Sequence, residues 1–305
     1  MSGQLAQNGT TQLFRSVRAA RSWVQASATR LDSPPVAGCV TMKPGNDDPP
    51  VFMFPGAAGS ILQIAPLAAA LTVPAPVYAI KPRGMDPGET PCENLAEMAE
   101  HAIGVITGAR QQGPYLLVGY SAGGLVALET ARQLAVAGHD VPLVVLLDTY
   151  PSREIWPLAC HLEILGRQAV RAIWTLRRLS LRQATADVPR RLRSLFLYLA
   201  AAGLRLVTPP PLVAEGTDAA SRRVHVATYN AGEAYRPSHY SGKVVFLQPE
   251  YIPNLEPRSP HRVWSKFLSN LEIRRVPGSH LGMLEEGATS AAAEISRCLT
   301  EARGQ

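Results

Sequence analysis

An apolar run that passes through a glycine-framed serine straight into a helical pattern limits this chain more than anything else in it. The stretch is "YLLVGYSAGGLVALETARQL", residues 115 to 134. "YLLVGY" reads as a strand buried on both faces, because no polar residue alternates with the apolar ones. Ser121 follows immediately, and "AGGLVALETA" continues as a helix. A serine at such a strand-to-helix turn takes a strained conformation, and the G-x-S-x-G spacing puts Gly119 and Gly123 where side chains would collide across the bend. Three fixed positions recur by chance, so the surrounding pattern must carry part of the inference.

That pattern is an alternation of strands and helices. "VFMFPGAAGS" (51–60) is a short apolar strand entering a Gly-rich loop, and a helical pattern follows it. "APVYAI" (75–80) is a second strand, with the loop "KPRGMDPGET" and a helix around 93–111 after it. Beyond the serine, a helix over about 122–137 leads to "PLVVLLD", a strand ending at Asp148. Later come a helix near 221–234, the strand "KVVFLQ" (243–248), a short helix around "HRVWSKFLS", the strand "LEIRRV" (271–276) and a last helix after Ser290. Strand and helix in turn predict an α/β fold, a mostly parallel sheet covered on both faces.

Two stretches fall outside the alternation. Residues 1–48 are polar and loop-like apart from "LFRSVRAARSWVQ", where Leu13, Val17, Ala20 and Val24 share one helical face; we expect an extension or linker with at most one amphipathic helix. From Pro151 to about Val224 the pattern is helical and amphipathic, with no strand. Ligands of open α/β sheets bind beyond the carboxyl ends of the strands, so an insertion after the strand ending at Asp148 is placed to roof a pocket. The expected organisation is therefore one catalytic domain over 49–305, with a helical lid at about 151–224.

Charge and cysteine content narrow the function classes. Residues 151–240 hold thirteen arginines, no lysine and six acids, a net +7 that exceeds the +6 of the whole chain. Arginines on helical patterns without a nucleic-acid motif do not predict nucleic-acid binding; a basic lid facing an acidic protein is the sharper expectation. Cys39, Cys92, Cys160 and Cys298 lie far apart, with neither zinc spacing nor a disulfide framework, so no metal is expected. There is no apolar run long enough for a membrane span and no signal-like N-terminus, from which we expect a cytoplasmic protein without membrane contact.

The chemistry rests on residues that the alternation sets at strand ends. A serine hydroxyl needs a base. Among seven histidines His280 is best placed, following "LEIRRV" and the turn "PGS"; His101 and His161 fall in helical patterns, His139 in a helix-to-strand loop, and His225, His239 and His261 have no strand end just before them. The acid that orients the histidine is Asp148 or, as a rival, Glu250 after "VVFLQP". The backbone N–H of Ala122, at the helix N-terminus, points toward an oxyanion beside Ser121, and the "FPGAAGS" loop offers a second donor, Ala57, with Gly56 as the fallback.

Taken together, "FPGAAGS", "IKPRGMDPGE", "YLLVGYSAGGLVALETARQL", "LVVLLDTYP", "AYRPSHYSGKVVFLQPE" and "VPGSHLGML" resemble the thioesterase domains of nonribosomal peptide and polyketide synthases. Residues 151–223 and 1–48 show no such match. Many members of that family carry a histidine where Phe54 stands. The resemblance implies an α/β-hydrolase fold, no cofactor of its own, and a substrate held as a thioester on the phosphopantetheine arm of a carrier protein. The chain has no carrier-type G-x-D-S segment, so a carrier would act in trans or come from an upstream domain. Ser121 would take the acyl group and pass it to water or to a nucleophile of the substrate itself. An esterase or lipase acting on oxygen esters, and a non-catalytic binding module on the same scaffold, stay open as alternatives.

Overall fold

The computed structural model describes residues 38–176, 213, 217–253 and 255–303. Among these, seven strands form one sheet: β1 Cys39–Lys43, β2 Val51–Phe54, β3 Val77–Ile80, β4 Leu116–Tyr120, β5 Leu143–Leu147, β6 Tyr240–Pro249 and β7 Leu268–Val276. Their spatial order is β1-β3-β2-β4-β5-β6-β7. Only β1 runs antiparallel to its neighbour. The helices are α1 Ile61–Ala70, α2 Leu95–Ala109, α3 Ala122–Val136, α4 Leu158–Leu176, α5 Ala219–Ala234, α6 Pro260–Trp264 and α7 Ala288–Arg303, with 3₁₀ turns at Arg153–Ile155 and Gly282–Leu284.

Every residue of β2, β4 and β5 is buried, as strands covered on both faces must be. Alternate side chains enter separate cores. Val51, Met53, Leu116, Val118 and Tyr120 meet Ile64 and Leu67 of α1 and Ile295 and Leu299 of α7. Phe52, Phe54, Leu117 and Leu146 turn the other way, to Leu125 and Leu128 of α3 and to Val263 and Trp264 of α6. A one-residue slip of any central strand would exchange these sets, which is what holds the register.

Two strands depart from the expected pattern. β1 lies in the stretch read as loop, ahead of the expected boundary at 49; of its five residues only Met42 is fully buried, so this edge strand has no apolar run to reveal it. β7 begins at Leu268, inside the stretch read as a short helix, because α6 stops at Trp264. Of the stretch expected to form a lid, α4 and the first turns of α5 are described; residues 177–212 and 214–216, and the amphipathic segment at 13–24, lie outside the described residues.

Candidate active site

Ser121 caps β4 with φ 54° and ψ −127°, and Asp148 leaves β5 with φ 43°; among the described residues these are the two non-glycine positions with positive φ. Such backbone is costly for side-chain-bearing residues and collects at functional sites. Neighbouring strands hold both in place. The Ser121 N–H donates to Leu147 O at 2.9 Å and the Asp148 N–H to Leu247 O at 3.0 Å, so the parallel ladder extends one residue beyond each strand.

The turn works because its glycines admit close neighbours. A Cβ on Gly119 would lie 2.4 Å from Gly124 Cα, the collision across the bend expected from the spacing. At Gly123 the obstacle is different: a Cβ would meet Pro55 O at 2.1 Å. Gly123 therefore lets the loop after β2 rest on the start of α3, which brings the segments of Ala57 and Ala122 together. Gly124 plays a third part that the motif does not show, since a Cβ there would lie 2.0 Å from Thr149 Oγ1. Phe54, at the head of the β2 loop, is buried in the core.

His280 stands in the loop after β7. Its Nδ1 is 2.7 Å from Asp148 Oδ2, a carboxylate whose side chain is 2% exposed. A hydrogen bond of this kind assigns the Nδ1 proton to the aspartate side and leaves Nε2 free to face a hydroxyl. Tyr120, next to the serine, supports the same loop twice: its ring lies 4.8 Å from the imidazole, and its hydroxyl donates to His280 O at 3.1 Å. Burial, with Asp148 second, pushes the Tyr120 phenol well above its ordinary range, so it stays a neutral donor. Below His280, Met283 and Leu284 anchor the loop in the core beneath α7.

The rival acid does not reach this pair. Glu250 is exposed, and its N–H is bound to Val276 O at 2.9 Å. Other histidines are engaged elsewhere: His101 Nε2 lies 3.0 Å from Lys81 O, His139 packs on Tyr115, and His239 Nε2 lies 2.6 Å from Ser269 Oγ. A buried carboxyl oxygen that sequence reasoning passed over belongs to Glu256. It lies six residues beyond Glu250 in "QPEYIPNLEP"; burial, with the Asp148 charge second, pushes its carboxyl up to about 7. Nothing local marked it, because it belongs to no motif and follows the strand by half a loop.

Against the turn at Gly123, on the flank formed by the loops after β2 and β3, lies a small cavity of about 40 Å³. Phe54, Arg83, Met98, Gly123, Val126 and Val224 are among the residues that line it. Among the described residues there is no cluster of three or more His, Cys, Asp or Glu side chains that could hold a metal ion, and no helix is long and apolar enough to cross a membrane. The four cysteines are unbridged, and Cys92, Cys160 and Cys298 are buried.

Comparison with known proteins agrees with the geometry. Residues 49–299 match the Thioesterase domain family. The chain is 37% identical over 119 residues to indigoidine synthase of Dickeya dadantii, covering 39% of this chain and 8% of that protein. It is 27% identical over 285 residues to the nonribosomal peptide synthetase btyA of Aspergillus terreus, covering 87% of this chain and 29% of that one. It thus spans under a third of the length of either relative. Among solved structures, the NocB thioesterase domain of the nocardicin cluster superimposes with a TM-score of 0.56 at 20% identity, over 82% of this chain and 93% of that one. YbtT, a type II thioesterase of the yersiniabactin pathway, does so with a TM-score of 0.58 at 16% identity, over 87% and 99%. On the family match and the shared α/β-hydrolase fold, this chain belongs to the thioesterase domain family, a family of hydrolytic enzymes.

Proposed function

We propose that the chain is a serine thioesterase that releases an acyl, peptidyl or polyketide chain from the phosphopantetheine arm of a carrier protein. The observation that carries this reading is the 2.7 Å contact between His280 Nδ1 and the buried Asp148 carboxylate, at the sheet edge where Ser121 sits in strained backbone. Ser121 Oγ attacks the thioester carbonyl as His280 Nε2 takes its proton, and Asp148 stabilises the imidazolium. The N–H groups of Ala57 and Ala122 receive the oxyanion. When the tetrahedral intermediate collapses, the C–S bond breaks and His280 returns the proton to the departing thiol. Water or a nucleophile of the acyl chain then enters by the same side, gives its proton to His280 and frees Ser121.

The strand order supports one reading of the two sides of the serine. His280 protonates the leaving thiol, so the phosphopantetheine arm lies toward β5, β6 and β7. The acyl group then runs the opposite way, toward the loops after β2 and β3, where the small cavity lies. Its apolar lining favours a hydrocarbon-rich acyl end. Seven of the thirteen arginines in the basic stretch that would receive an acidic carrier lie outside the described residues; Arg222 and Arg223, exposed on α5, are among the six that are described.

The test compares wild type with Ser121→Ala on an acyl-pantetheine thioester and its matched oxygen ester. Thioester turnover that vanishes in the variant supports the reading. Turnover that survives the substitution refutes it, and a strong preference for the oxygen ester would favour an esterase.

A further inference from the structure

Two large apolar side chains stand exposed on the loops that flank His280. Among the described residues Tyr251 is 65% exposed and Leu281 53% exposed. A single exposed leucine calls for no account, since much of any protein surface is apolar. These two differ in being held on fixed backbone beside the base. Tyr251 lies in the loop after β6, where its N–H donates to Gly278 O at 3.0 Å and extends the β6–β7 pairing past the strand ends. Gly278 precedes His280 by two residues, at most about 7 Å of chain. Leu281 follows His280 directly, in a turn closed by bonds from the Met283 N–H to Ser279 O at 3.0 Å and from the Leu284 N–H to Leu281 O at 2.9 Å. That turn buries Met283 and Leu284 and leaves Leu281 outside.

Both belong to the β6–β7 side of the serine, the side toward which the thiol departs in the reaction proposed above. His280 can protonate that thiol only if the sulfur passes close to Nε2, so whatever the sulfur carries must run over the neighbouring surface. In a pantetheine thioester this is an uncharged chain of methylenes and amides, with a gem-dimethyl group before the phosphate. Leu281 offers it methyl groups, and Tyr251 an aromatic face with a hydroxyl at its edge. Glu250 precedes Tyr251, and Glu285 and Glu286 follow the turn; all three are exposed. Their charge disfavours the phosphate at this place, so the fit is to the neutral stretch of the arm.

We propose that Tyr251 and Leu281 form a subsite for the pantetheine arm of the thioester, guiding it past His280 so that the sulfur meets Nε2. Neither side chain touches the acyl group or takes part in proton transfer. Because the backbone on both loops is already fixed, binding loses little entropy in ordering them. The subsite selects by leaving group: an arm that reaches the gem-dimethyl carbon gains from the contact, and a truncated one does not. The inference rests on the thioesterase reading and on its placing of the leaving thiol.

The test compares two thioesters of one acyl group, acyl-pantetheine and acyl-N-acetylcysteamine, whose shorter arm stops before the gem-dimethyl group. The quantity read is the ratio of kcat/KM on the longer to that on the shorter. Partial burial of either side chain against the arm corresponds to about a fivefold gain in affinity, so Tyr251→Ala and Leu281→Ala should each lower the ratio roughly fivefold, mainly through KM. Tyr251→Phe, which keeps the ring, should restore most of it. A ratio that stays at the wild-type value while both rates fall together overturns the proposal and ties the two side chains to the His280 loop alone. So does a wild type that turns over both thioesters equally well. A second measurement needs no turnover: saturation transfer by NMR from the Ser121→Ala protein to the gem-dimethyl protons of pantetheine. Transfer that weakens when Tyr251→Ala and Leu281→Ala are added supports the subsite, and transfer that is absent or unaffected overturns it. The two readings fail separately. Turnover that survives Ser121→Ala refutes the thioesterase reading, whereas turnover lost in Ser121→Ala with an unchanged ratio in the rim variants removes only the subsite.

Discussion

Replacing Gly124 by alanine sets two known effects against each other. Gly124 lies in the first turn of α3, and in a helix Ala is worth about 1 kcal/mol over Gly. On propensity alone the substitution would stabilise the protein. The new Cβ, however, would fall 2.0 Å from Thr149 Oγ1, 2.8 Å from its Cγ2 and 2.9 Å from its Cβ. Carbon contacts are optimal near 3.5–4.0 Å, so relief requires a displacement on the order of 1 Å or more. Thr149 cannot give way easily: it is fully buried, its Oγ1 donates to Leu147 O at 3.2 Å, and its carbonyl accepts from the Trp264 indole at 3.0 Å. Overpacking a core costs about 1–3 kcal/mol, and this contact belongs at or beyond the upper end. After the helix gain is subtracted, we expect Gly124→Ala to unfold more easily by about 2 kcal/mol, measured by urea denaturation. In a domain of this size that lowers Tm by roughly 4–8 °C. The displaced atoms also separate Ser121, three residues before Gly124, from Asp148, one residue before Thr149. Turnover should therefore drop about tenfold or more, since a shift of roughly 1 Å in a catalytic group can cost a hundredfold. Thr149→Ala removes Oγ1 and Cγ2, so the double variant should recover most of both losses, with a coupling of about 1 kcal/mol or more. A Gly124→Ala protein more stable than wild type, with kcat unchanged, would refute the packing argument.

Asp148→Asn should leave the fold intact and lower kcat about ten-thousandfold, because an amide N–H facing Nδ1 selects the wrong imidazole tautomer; a loss under tenfold, with an unchanged thermal melt, would move the acid role elsewhere. Tyr120→Phe keeps the ring on the imidazole but deletes the hydrogen bond to His280 O. At about 1 kcal/mol for such a bond, kcat should fall roughly fivefold with KM nearly constant, and kinetics equal to wild type would contradict the supporting role of that hydroxyl. Tyr235→Phe removes a 2.9 Å hydrogen bond from α5 to Glu129 on α3, at a cost of about 1.5–3 kcal/mol near pH 7. Burial pushes the Glu129 carboxyl up, but hydrogen bonds from Arg132, Gln133 and Tyr235 outweigh it and hold the group below its ordinary value. A carboxyl lowered in the folded state contributes stability above its unfolded pKa and loses it as pH falls through the folded one. The gap between wild type and Tyr235→Phe should therefore shrink below about pH 4.5 in denaturation series; a gap that widens on acidification would reverse that sign.

Much of this architecture was legible because its causes are local. The uninterrupted apolar runs of β2, β4 and β5 announce strands covered on both faces, and G-x-S-x-G between a strand and a helix announces a bend that only glycine-framed backbone can make. Strand ends are visible in the same way, which is why Ser121, Asp148 and His280 could be put forward as candidates. The weak places have physical reasons too. β1 is an edge strand with one fully buried side chain, so it leaves no apolar signature. β7 starts within an apparent helical pattern because Trp264, the end of α6, is buried for packing rather than for periodicity.

What the chain alone determined was therefore the set of elements and the residue types standing at their ends, since backbone sterics and side-chain periodicity act over a few residues. The pairing of those ends was decided only in three dimensions. Asp148 and Glu250 both follow strands, and no local rule separates them; the order β4-β5-β6-β7 and the positive φ of Asp148 turn one carboxylate onto His280, while the bond from the Glu250 N–H to Val276 O accompanies an exposed side chain. The support from Tyr120 and the contact of Gly124 with Thr149 belong to the same class. Each depends on segments far apart in the chain being held within a few ångströms by a packed sheet, a relation that no window of sequence contains.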